Sequence, residues 1–92
     1  MNYIDEIANR IFAETHDGKE MPEHGAPVYR AYALLARCKG RGTTLEDVHD
    51  AWAIGRMVTR PDHKDIVPFD ELTSEIQEYD RKYMEAIHAC SK

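Results

Sequence analysis

Apolar residues recur at intervals of three and four along four stretches of this chain, and glycine and proline clusters cut between them. That rhythm suits helices and not the two-residue alternation of strands. The first stretch holds Ile4, Ile7, Ala8, Ile11 and Phe12, with Asn2 placed to cap it. The polar run THDGKEMPEHGAP, residues 15–27, then breaks the pattern with two glycines and two prolines. A loop of that length in so small a domain is either mobile or functional. A second helix fits VYRAYALLARCK, its stripe formed by Val28, Ala31, Tyr32, Leu35 and Cys38, with Gly40 as a left-handed terminator.

Thr43 and Glu46 have capping-box spacing and open a third helix, LEDVHDAWAIGRMV. Its inward stripe is Leu45, Val48, Trp52 and Gly55, joined by Ala51 and Val58. Gly55 and the β-branched pair Val58-Thr59 leave an extended course after Trp52 open as an alternative. Ser74 and Gln77 form a second capping-box pair, and the helix they open carries Ile76, Tyr79, Tyr83, Ile87 and Cys90. Between the third and last helices lies the apolar run Ile66-Val67-Pro68-Phe69, flanked by charge. Pro68 forbids a regular helix there and pushes Val67 towards an extended conformation. The expected fold is therefore mainly α: a compact bundle of about four helices, with an irregular or extended connector before the last. Ile66, Val67 and Phe69 either plug the bundle or wall a pocket whose free backbone groups meet a ligand.

Ninety-two residues allow one domain, residues 1–92, with one core and one shallow site. The apolar share of 42% is that of a globular chain and argues against disorder. Seventeen acidic against twelve basic residues leave a formal charge of −5, unlike a surface that tracks nucleic-acid phosphates. No apolar run approaches about 18 residues, and the acidic start MNYIDEIANR lacks the pattern of a signal peptide, so the expected location is the cytoplasm. Cys38 and Cys90, far apart and each in an amphipathic segment, read as buried free thiols, with one long-range disulfide as the alternative.

WAIG at 52–55, HKDIVPFDEL at 63–72 and QEYDR at 77–81 together form a pattern that resembles the RyR domain, the small module repeated in ryanodine receptors. That module shows a Trp-x-x-Gly element, a Leu/Val-Pro-Tyr step, a Leu three residues on, and a charged helix often reading Lys-x-Tyr-Asp-Arg. The matching positions are Trp52, Gly55, His63, Val67, Pro68, Phe69, Leu72, Tyr79, Asp80 and Arg81. Phe69 stands where the module has Tyr, and Ile54 where an aromatic often precedes the Gly. The similarity is strongest over residues 44–90. It implies a free-standing RyR-like protein of phage or actinobacterial type that binds a nucleotide-derived ligand. A phage copy would work in the host cytoplasm, capturing a host signalling nucleotide.

Within such a site, Trp52 and Phe69 supply apolar walls, and the indole can stack on a base. Arg56, one helical turn on, meets a phosphate or carboxylate, and Arg60, His63 and Lys64 add positive charge. Gly55, Pro68, Leu72, Tyr79, Asp80 and Arg81 are read as structural, with Asp80 and Arg81 hydrogen-bonding the connector backbone. Each assignment competes with a plain one: Trp52 as a core anchor, and the cations as solvated charges. No catalytic residue, metal ligand or cofactor is assigned. Adjacent helical residues point about 100° apart, so His49-Asp50 makes no metal pair. Glu71, Glu75, Glu78 and Asp80 read as a solvated helix face. His16 and His24, flanked by Asp17, Glu20 and Glu23, are a weak metal signal on a loop.

The leading expectation is a non-catalytic sensor or sponge for a small nucleotide-like ligand. The alternative is a protein-interaction module, a homodimer or a host-protein partner, using Tyr29, Tyr32 and the connector. Mg-dependent nucleotide hydrolysis through Glu75 and Glu78 ranks last.

Overall fold

The computed structural model describes residues 2–16 and 19–91. It is a mainly α bundle of four helical arms: α1 (Tyr3–Thr15), α2 (Ala26–Cys38), α3 (Leu45–Thr59), and a last arm divided into α4 (Ser74–Glu78) and α5 (Arg81–Ala89). No strand occurs among the described residues. The central α2 packs most extensively on α3 and α1, and α5 closes the bundle against α1. Ile7, Ile11 and Phe12 of α1, Tyr32 and Ala33 of α2, Val48 of α3 and Ile87 of α5 share one core.

Asn2 caps α1 as expected, its side chain accepting from the Asp5 N–H at 2.8 Å. Gly40, at φ +55°, turns the chain beyond α2 in the left-handed region. The other caps lie one residue from their expected places. Thr43 is drawn inward, its Oγ1 donating to the Gly40 carbonyl and its own carbonyl meeting His88 Nε2 at 2.9 Å. Thr44 therefore caps α3, in a capping box with Asp47 instead of Glu46. Thr73, not Ser74, caps α4, and Gln77 turns its amide to the connector instead of closing a box.

The buried face of α2 is Val28, Tyr29, Tyr32, Ala33 and Ala36, so Cys38 is exposed and Cys90 only half-buried. Because α2 lies between α1 and α3, its inward arc is wider than one stripe. The two alanines sit in it because they permit close approach. Both cysteines are free thiols. Tyr29 and Tyr32, expected to offer an association seam, are 7% and 1% exposed and belong to the core.

The third helix stays helical through Thr59 despite Gly55, which is the point of closest approach to α2. A Cβ built there would lie 2.4 Å from Val28 Cα and 2.6 Å from Val28 N, far inside contact distance. Because Gly55 meets the first turn of α2, the last turn of α3 runs past it, and Val58, expected inside, is 69% exposed. The last arm breaks at Tyr79-Asp80, where Tyr79 and Asp80 donate to the carbonyls three residues back and the ladder resumes at Met84.

Gly55→Ala is expected to cost about 2–4 kcal/mol, since backbone and not a flexible side chain stands in the way. Gly42→Ala, where a Cβ meets nothing within 4 Å, is the control and should stay within about 0.5 kcal/mol of the parent. Urea denaturation of both variants measures the difference; equal stabilities would disprove the tight crossing.

Candidate functional site

The crossing of α2 and α3 opens, on the side of the break between α4 and α5, into a cleft of about 240 Å³. Helix α2 lines it with Val28, Tyr29 and Tyr32, and α3 with His49, Trp52 and Arg56. These three α3 residues recur at helical spacing, so one face of α3 presents all of them. The start of the connector adds His63 and Asp65, and the broken arm adds Ile76, Tyr79, Asp80 and Tyr83.

His49 is the hub, 3% exposed. Its Nε2 lies 2.6 Å from the Val67 carbonyl oxygen, which only accepts, so Nε2 carries a hydrogen and donates. The Trp52 indole stacks on the imidazole at 5.6 Å and 24°, and the Phe69 ring leans against it from the connector at 6.1 Å. The other ring nitrogen, Nδ1, faces Asp80 Oδ2 at 3.9 Å, too far for a direct hydrogen bond. His63 packs edge-on to Trp52 at 5.0 Å, with its Nδ1 accepting the Asp65 N–H. The Arg56 guanidinium lies 6.0 Å from the indole centroid. Trp52 is thus held by three neighbours and still borders the cleft.

Asp80 stands at the N-cap position of α5 but its side chain does not cap it, and its carboxylate accepts no hydrogen bond from the described residues. Burial pushes its carboxyl up to about 6, with the His49 charge opposing. Tyr32 is nearly enclosed, and burial together with the Asp80 charge raises its hydroxyl well above the ordinary value, so it remains a donor at neutral pH. Tyr29 meets Tyr32 edge-on at 5.3 Å and Tyr32 lies 5.7 Å from Tyr83, giving the cleft a tyrosine floor.

Of the residues singled out from sequence, Trp52, Arg56 and His63 come together here. Arg60 and Lys64 are exposed and do not line the cleft. Phe69 packs against His49 and does not line the cleft, so it is a buttress and not a wall. The connector backbone is held by His49 and by Gln77, whose Nε2 donates to the Phe69 and Leu72 carbonyls. Asp80 and Arg81 therefore do not have that role: Asp80 faces the cleft, and Arg81 pairs with Glu78 at 2.7 Å on the surface. Gly55 and Leu72 are buried, while Pro68 is exposed at the turn it starts. Tyr79, read as structural, is 68% exposed on the cleft rim.

His49, Asp65, Tyr29, Tyr32 and Tyr83 were missing from the expected site. The usable signal for His49 was its position three residues before Trp52, on the same helical face. Of the first-loop metal reading, Asp17 lies outside the described residues. His16 stacks on Phe12 at 4.4 Å and bonds Thr15 Oγ1 at 2.8 Å, so it has structural partners. Among the described residues no three His, Cys, Asp or Glu side chains gather as metal ligands do. Likewise, among them, no helix is long and apolar enough to cross a membrane.

Fold and site together define a small helical domain with an aromatic cleft lined by one arginine and two aspartates, Asp65 and Asp80. Residues 2–92 match the family described as a domain of unknown function, DUF7701, and the chain belongs to it. No curated protein and no solved structure matches the chain.

The Asp80 carboxyl has a raised value in the fold, so the native state binds its proton more tightly than the unfolded chain does. The associated stability is complete below about pH 4 and is lost as the pH rises through about 6. Asp80→Asn, neutral throughout, is expected to raise the unfolding free energy at pH 7.5 by on the order of 1 kcal/mol, and to flatten the decline between those values. Calorimetry across that range tests this; superimposable profiles would mean the carboxylate is fully solvated.

Proposed function

We propose that this protein is a non-catalytic binding module for a small nucleotide-derived ligand, acting as a sensor or a sponge. The observation that carries the reading is the cleft itself, where the Trp52 ring, the Arg56 guanidinium and the Asp80 carboxylate border one space. Such a site joins a planar apolar wall to a few convergent polar groups, as small-molecule sites do. Its volume of about 240 Å³ suits one nucleoside-sized group, with the rest of a larger ligand lying outside. The resemblance of residues 44–90 to the RyR module belongs to the same proposal, as does a phage origin with action in the host cytoplasm. Arg60 and Lys64, outside the cleft, keep only a long-range part in attracting an anion.

Differential scanning calorimetry with ADP-ribose and cyclic nucleotides at millimolar concentration tests the reading. A true ligand is expected to raise Tm by several degrees, and Trp52→Ala is expected to abolish the rise. No stabilisation by any of these compounds would count against the proposal.

A protein-contact role rests on a different surface from the tyrosines first considered. Ile54, Met57 and Val58 are 64%, 48% and 69% exposed on one outward face of α3. Homodimerisation or docking of a host protein through that face is compatible with the cleft. Light scattering decides the first; a strict monomer at all concentrations removes it.

A further inference from the structure

The cleft has two chemically different ends. Along α3, His49 and Arg56 are seven residues apart, a rise of about 10 Å, with Trp52 between them. At the His49 end stands the Asp80 carboxylate, which leaves the N-terminus of α5 uncapped and receives no hydrogen bond from the described residues. At the other end stands Arg56. A phosphate is favoured beside Arg56 and repelled by Asp80. A ligand carrying both a ring and a phosphate therefore enters ring first, with its donor edge against the carboxylate.

Resting on the small-ligand reading above, we propose that Asp80 makes the cleft selective for guanine-type rings. An ionised carboxylate is acceptor-only and offers two oxygens side by side. The guanine edge presents two parallel donors, the ring N–H and the amino N–H. Adenine and cytosine each present one donor beside an acceptor, and uracil presents one donor between two acceptors. Only the guanine edge satisfies both oxygens without facing a lone pair against one of them. The Tyr32 hydroxyl, which lines the same cleft within the field of the Asp80 charge and remains protonated, supplies a donor for the ring carbonyl. A site built this way discriminates against analogues that leave its half-buried acceptor unpaired.

The test is titration of the full chain with GMP, IMP and AMP at pH 7.5, followed by Trp52 fluorescence, for the parent and for Asp80→Asn. GMP is expected to bind at least tenfold more tightly than AMP. IMP keeps the ring N–H but lacks the amino group, and is expected to bind at least tenfold more weakly than GMP. Asp80→Asn should bring the three within about threefold of one another while its circular dichroism stays native. The IMP comparison needs no variant, so it decides the matter even if Asp80→Asn fails to fold. Equal binding of the three nucleotides, or an unaltered preference in Asp80→Asn, overturns guanine selection but leaves a nucleotide-binding cleft. Absence of binding by all three, together with no thermal stabilisation by ADP-ribose or cyclic nucleotides, overturns both.

Discussion

The contact on which the rest depends is backbone against backbone, where Gly55 of α3 lies on Pro27 and Val28 of α2. No side chain fits there, so the two backbones meet directly at this crossing. That approach fixes α3 in both position and rotation. His49, Trp52 and Arg56 are then aimed at the tyrosines of α2, and Val48 enters the core. The outward face with Ile54, Met57 and Val58 follows from the same rotation.

A second constraint keeps the crossing from closing completely. The connector returns along α3 and is fastened to it by the hydrogen bond from His49 to the Val67 carbonyl. Gln77 ties the next carbonyls, so an irregular segment with a proline keeps its buried acceptors satisfied. Phe69 and Trp52 both pack against the imidazole whose Nε2 is fastened to the Val67 carbonyl, which holds His49 in one orientation towards Asp80. The break at Tyr79-Asp80 gives that carboxylate its direction. In an unbroken helix Asp80 would follow the regular rotation of its neighbours; in the tightened turn it faces the cleft. Half-burying a carboxyl there, with no hydrogen bond to it from the described residues, raises its proton affinity and costs stability.

Much of the fold was legible because its signals are local. Helical periodicity, the Asn2 cap, the Gly40 terminator and the proline in the connector each depend on a few neighbouring residues. The misplaced caps show the limit of this. Thr43 and Thr44 are chemically equal, and what separates them is that the carbonyl of Thr43 is held by His88, forty-five residues away. The cleft was legible in half. Trp52 stood out as the sole indole, and Arg56 and His63 as basic residue types in an acidic chain. His49 did not, because a lone histidine beside an aspartate carries no mark of the carbonyl it will meet.

By itself the sequence determined that the chain makes four helical arms joined by irregular segments, with Asn2 and Gly40 at two of their ends. Those outcomes follow from turn-by-turn periodicity and backbone stereochemistry, which need no distant partner. Only the tertiary structure decided that the tyrosines of α2 go inside, that Phe69 stands behind the site, and that Asp80 turns towards it instead of capping its helix. Each of those depends on which elements meet and at what rotation. That is settled by the close crossing at Gly55 and by hydrogen bonds between residues widely separated in the chain.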